Sequence, residues 1–183
     1  MPITFLNRNN SGKFSAIAPP TYAIGQAALG GVVAYILQPG DPGYDPNKQH
    51  GLVAAISDYG SGALRQWGQD SVFVNVSTGT AIGTGLTNSN AIVSSAGVGT
   101  YGAYLARIDT TGGYTDWFLP SKDELNQLYI NRVAVGGLRV DGVRYWSSSQ
   151  YALNVAWAQD MTNGAQAGIN KNGAIGLRFV RSY

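Results

Sequence analysis

Glycine occupies 25 of the 183 positions, and charged residues make up only 12%. Glycine turns the backbone without steric cost, so clusters of it cut a chain into short regular segments. Such a chain, poor in charge, would suit a disordered linker. An apolar fraction of 44% and twenty aromatic residues (four Trp, eleven Tyr, five Phe) contradict that. The composition therefore specifies a compact, loop-rich globular domain with a polar but mostly uncharged surface. A chain of this length forms one such domain and removes roughly 70% of its surface from water on folding.

The inventory of reactive side chains excludes several classes. Without cysteine there is no disulfide framework, no thiolate nucleophile and no Cys-ligated metal. With His50 as the single histidine, multi-histidine zinc motifs are ruled out, and a Ser–His–Asp triad would depend wholly on that residue. Beside a turn and ahead of an apolar strand, His50 reads as a structural hydrogen-bonding residue; the alternative makes it a ligand contact or pH-sensitive switch. No apolar run reaches the ~18 residues of a membrane span, and Met1-Pro2-Ile3-Thr4 opens no basic leader. The expectation is a protein that does not insert into membrane and, as it stands, carries no classical export signal; an extracellular role would need a removed leader or assembly into a particle that leaves the cell by lysis. A net charge of +2 is too small for general nucleic-acid binding. It is unevenly spread, with −2 over residues 1–131 and +4 over residues 132–183. The basic surplus reads either as scattered solvated charges or as a face favouring anionic ligands.

Residues 1–20 read as a separate arm, with Thr4–Leu6 a short strand, Asn-Asn-Ser-Gly a turn and Pro19-Pro20 a stiff break. The arm is either a tether or an oligomerisation strand. Residues 21–183 form the domain proper. Gly30–Leu37 and Leu52–Ile56 are short apolar runs that read as strands, and Ser61–Trp67 reads as one or two helical turns. Thr78–Gly85 is glycine-rich but lacks the Lys-Ser/Thr that ends a phosphate-binding loop. Asn88 or Asn90 is expected to cap a helix reaching Arg107. Ser121 with Glu124 three residues later is a capping box, and Leu125, Leu128 and Tyr129 follow at helical spacing. After Gly136-Gly137 the pattern becomes β, with Arg144–Ser148, Asn154–Asp160 and Gly176–Arg181 as strands. Helices in the middle and a closing antiparallel meander give an α+β domain with two main helices and short antiparallel strands.

The order of blocks is specific: Gln49-His50-Gly51-Leu52, then Gly112-Gly113-Tyr114-Thr115-Asp116-Trp117-Phe118-Leu119-Pro120, then Tyr145-Trp146-Ser147-Ser148-Ser149, then Leu177-Arg178-Phe179-Val180-Arg181. From Tyr22 to Tyr183 this series resembles the Lcl-type C-terminal domain family of bacterial collagen-like adhesins, surface proteins and phage tail proteins. That family is a branch of the C-type-lectin-like fold. The resemblance implies a domain whose first and last strands pair, a ligand face made of loops, and adhesion as its work. The enzymatic branch of the fold uses a copper–dithiolate centre, which a cysteine-free chain cannot build. The lectin calcium triplets are missing too, so no metal or other cofactor is expected; Asp41 and Asp45 are the nearest carboxylates for a structural ion.

Apart from the resemblance, Trp117 and Trp146 read as core. Ser147–Ser149, without a nucleophile elbow, read as satisfying backbone groups. The candidate ligand-binding residues are Gln150, Tyr151, Asn154, Gln166, Asn170, Lys171 and Asn172. Amides offer both donors and acceptors to sugar hydroxyls, and Tyr adds a rigid amphipathic face. The expectation is a non-enzymatic receptor-binding module of a phage tail or similar appendage, located on a virion or extracellular appendage and recognising a cell-surface glycan or protein. A structural subunit, such as a decoration or connector protein, is the alternative. A closed homotrimer involving residues 1–20 would give the arm's Phe5, Leu6 and Phe14 partners and multiply weak contacts.

Overall fold

The computed structural model describes residues 6–8, 14–16, 19–69 and 74–183. Strands β1 (Leu6–Arg8) and β2 (Phe14–Ala16) pair antiparallel, with Leu6 opposite Ala16. The expected strand Thr4–Leu6 shares only Leu6 with β1; Thr4 and Phe5 lie outside the described residues.

The domain is α+β. One antiparallel sheet joins β3 (Ala27–Ala28), β4 (Gly31–Ile36), β5 (Gly51–Ala54) and the C-terminal β9 (Val180–Ser182), in that order. The last strand thus pairs with β5 and not with the domain's first strand. Central strands β4 and β5 are covered on both faces, with Val33 and Val53 in one cluster and Ala34, Leu52 and Ala54 in another. Burial on two sides is why both read as continuous apolar runs rather than alternating ones. The β3–β4 turn places Leu29 and Gly30 at φ 55° and 82°. A Cβ on Gly30 would stand 2.4 Å from the Tyr114 ring, so glycine is required there on two grounds.

Helix α1 (Gly85–Ala96) is followed by α2 (Gly102–Arg107), so the single helix expected from Asn88 or Asn90 to Arg107 is two. Gly97, at φ 74° and ψ −157°, leaves the helical region and ends α1. Asn88 is no cap: its amide lies inside α1 and bonds both the N–H and the carbonyl of Gly79. The helical turns expected over Ser61–Trp67 reduce to a 3-10 turn at Tyr59–Ser61. Beyond it Arg65 bridges to Ile175, and the Trp67 indole reaches into the core to donate to the Ser147 carbonyl at 2.7 Å.

Helix α3 (Lys122–Ile130) begins with the anticipated capping box: Ser121 Oγ accepts the Glu124 N–H, and Glu124 accepts the Ser121 N–H at 2.7 Å. The Glu124 carboxylate, wholly buried, also accepts from Gly83 N–H and so ties the 80s loop to the helix. Burial pushes its carboxyl up despite those bonds. A short α4 (Arg132–Val135) follows. Strands β6 (Arg144–Ala152), β7 (Val155–Asp160) and β8 (Gln166–Asn170) form the second domain sheet, an antiparallel meander.

Three of the five arginines in residues 132–183 are paired with aspartates and so add no free charge to a basic face. Arg178 is fully buried, bonded to Asp58 at 2.8 Å and to the carbonyls of Ala55, Gly136 and Gly137. Tyr145 completes this knot by donating to Asp58 at 2.6 Å. A buried charge is tolerable only when its partners are this complete. Arg181 forks onto both oxygens of Asp116, and Arg139 pairs with Asp141. Among the described residues no helix is long and apolar enough to cross a membrane.

Candidate functional site

The meander sheet has two unlike faces, set by the period-two alternation of its strands. In β7, Ala156 and Ala158 point into the core, while Val155 and Trp157 point outward and are only half-buried. In β6 the register with β7 shifts between Trp146 and Gln150, and the three serines between them are wholly buried. Ser147 Oγ donates to the Trp157 carbonyl, Ser148 Oγ to Pro120 and Ser149 Oγ to Gly79. These hydroxyls serve the backbone across an irregular stretch of ladder.

The expected ligand-binding residues divide into two groups. Lys171 Nζ donates to the Val74 carbonyl (2.7 Å), the Leu153 carbonyl (2.9 Å) and Gln150 Oε1 (2.5 Å), and lies 4.3 Å from the centre of the Trp67 ring. Desolvation pushes its ammonium down to about 8. Gln150 is equally engaged, its amide nitrogen donating to Asn75 and its backbone N–H to Thr78. Gln166 donates to the Lys122 carbonyl and to Gln159. These three side chains fasten loops to the sheet.

Tyr151, Asn154, Asn170 and Asn172 are exposed. They gather at one end of the sheet, where the β6–β7 turn meets the end of β8 and Lys171 N–H bonds the Asn154 carbonyl. From this end an aromatic shelf runs inward over the outer face. Tyr151, 60% exposed, stands edge-on to Trp157 with ring centres 4.7 Å apart, and Lys122 Nζ lies 4.9 Å from the Trp157 ring centre. Trp157 pairs with Gly168 in the ladder; a Cβ there would meet Val155 at 2.7 Å and Tyr151 at 3.0 Å, so glycine leaves room for the Tyr151 ring.

Trp157 and Lys122 are the candidate residues of this shelf that the sequence reading did not single out. The signal lay in Val155-Ala156-Trp157-Ala158: if the small alanines face the core, the indole must face out. The indoles of Trp67, Trp117 and Trp146 each donate to a main-chain carbonyl, whereas that of Trp157 has no acceptor among the described residues. A flat apolar ring with a free N–H and a neighbouring ammonium can stack on a sugar or an aromatic side chain and hydrogen-bond at its edge.

The remaining sequence candidates serve the fold. His50 Nδ1 lies 2.9 Å from the Tyr183 carbonyl. Asp41 accepts from Tyr35 Oη and Gln38 N–H, and Asp45 accepts from Asn47. Among the described residues no three of His, Asp and Glu come together in a way that could hold a metal ion.

Neither a protein-family model nor a curated protein matches the chain. Among solved structures, a fimbrial protein from Bacteroides ovatus ATCC 8483 is similar to the whole chain, with a TM-score of 0.53 at 13% identity. The chain spans about half of that protein, 49% of its length. At this identity the likeness is one of fold.

Proposed function

We propose that the chain is a non-enzymatic receptor-binding or adhesion module of a surface appendage, a phage tail or a comparable particle, with a C-type-lectin-like domain of the Lcl type. The Tyr151–Trp157 shelf, with Lys122 beside it, carries this reading. It combines rigid aromatic area with a ring of exposed amides at Asn154, Asn170 and Asn172, the composition that grips hydroxylated or peptidic surfaces at low entropic cost. The burial of Ser147–Ser149 and their bonds to main-chain carbonyls argue against a hydrolytic role for them. The fimbrial protein's likeness in fold supports the appendage setting. A glycan array and whole-cell binding assay test the reading: retention on a defined set of ligands, lost in Trp157→Ala, is the expected result. A flat response from both proteins rejects it.

That same likeness favours a second reading, a structural subunit using the fold for assembly. Light scattering separates the two. We propose a homotrimer tied by residues 1–20, so a chain beginning at Thr21 is expected to become monomeric. Tight self-association with no ligand retained favours the structural role, and a full-length monomer at tens of micromolar rejects the trimer.

A further inference from the structure

A concave site separate from the shelf lies between α1, α2 and the segment before α3. It is a cleft of about 210 Å³, walled by Leu86 and floored by buried Trp117. Three of its polar side chains come from three different segments: Asn90 on α1, Arg107 at the end of α2 and Thr115. None has a hydrogen-bond or ion-pair partner among the described residues, whereas Arg139, Arg178 and Arg181 are each paired with an aspartate. Ser89, also on the lining, is buried and bonded to the Leu119 main chain, and Asp116 is half-exposed. Its two oxygens take the Arg181 guanidinium, which holds its carboxyl below the usual carboxylate range. The cleft therefore presents a free fork of donors at Arg107, a fixed carboxylate at Asp116, and amide and hydroxyl groups on the same rim.

We infer that this cleft binds the sugar ring of a hexuronic acid, with Arg107 taking the ligand's carboxylate and Asp116 accepting from its hydroxyls. A planar guanidinium matches a carboxylate with two parallel bonds, which accounts for the sign of the ligand's charge. Asp116 decides the rest: its charge is already paired with Arg181 and its remaining lone pairs accept only from donors, so the ligand's carboxylate must arrive with hydrogen-bond donors next to it. A uronic acid carries hydroxyls around its ring, and its C–H face can lie on Leu86. The volume is below the ~300 Å³ at which pockets for larger ligands begin, which suits one ring rather than a peptide.

The test uses the full chain and NMR titration with methyl glucuronide, methyl glucoside and a blocked aspartate peptide. The glucuronide is expected to shift methyl signals of Leu86 and Ala103, with the glucoside about ten- to hundredfold weaker, the loss expected for one hydrogen bond between charged groups. Arg107→Gln should weaken the glucuronide to the same degree while leaving the thermal midpoint unchanged, and Arg107→Lys should retain part of the affinity. Trp157→Ala should leave glucuronide binding intact, which separates this site from the shelf. Equal binding of glucoside and glucuronide, full retention by Arg107→Gln, or binding of the aspartate peptide in preference to the glucuronide would each overturn the inference.

Discussion

The two faces of the β6–β7–β8 sheet are built from the same strands, yet they treat polar and aromatic side chains in opposite ways. On the inner face Trp146 is fully buried with its N–H bonded to the Arg65 carbonyl, and the three serines that follow it in β6 are buried with their hydroxyls bonded to main-chain carbonyls. On the outer face the Trp157 N–H has no acceptor among the described residues, and its ring meets Tyr151 and Lys122. Polarity alone is therefore a poor marker of a candidate ligand face. What distinguishes the outer face is unsatisfied bonding capacity next to rigid exposed area.

The contrast is open to direct attack. Trp146→Ala is expected to cost about 3–5 kcal/mol of stability, the range for emptying a buried aromatic site. If the thermal midpoint held and only binding fell, the inner face would be the ligand face. Ser149→Ala removes the acceptor of Lys122 N–H and the donor to the Gly79 carbonyl, both part-buried, and is expected to cost about 1–2 kcal/mol in urea unfolding. Trp157→Ala, by comparison, should cost about 1 kcal/mol or less while abolishing ligand retention. A loss as large as that of Trp146→Ala would make Trp157 a core residue and erase the distinction.

The smallest effect concerns Lys171, which fastens the edge of the shelf. Its ammonium is lowered to about 8 in the folded protein by desolvation, so the folded chain releases that proton before the unfolded chain does. Stability should rise as pH climbs from about 8 towards 10.5, and this rise should be absent in Lys171→Met. Above pH 10 the sign reverses. Burial, with the bond to Asp41, raises Tyr35 to about 12, and burial, with the bond to Asp58, raises Tyr145 further. Both favour the folded state only while the unfolded tyrosines keep their protons. Thermal midpoints measured from pH 7 to 11 should therefore pass through a maximum near pH 10. A monotonic fall from pH 8 would show that Lys171 is not held as described.

How much was legible follows from how local each signal is. The capping box at Ser121 and Glu124 lies within four residues, and the chain formed it as read. The apolar runs that became β4 and β5 needed only their own β-branched character. The break between α1 and α2 was also written locally, at Gly97 and Gly99, but the apolar spacing through Tyr104 and Leu105 masked it. The partners of Lys171 and Arg178 were not legible. Val74 is 97 residues from Lys171, and Asp58 is 120 from Arg178. Read locally, a lysine beside an Asn-Gly turn looks exposed, and an arginine between Leu177 and Phe179 gives no sign of the carbonyls that will surround it.

The sequence by itself determined the α+β alternation, the capped helix and the loop-rich surface, because these depend on backbone freedom, capping and side-chain period over a few neighbouring residues. It also held the orientation of Trp157, through the alanines on either side. The tertiary structure alone decided which polar groups remain free. A side chain's bonding capacity is consumed by whichever groups the fold brings within about 3 Å, and in Lys171, Gln150 and Arg178 those groups come from far along the chain.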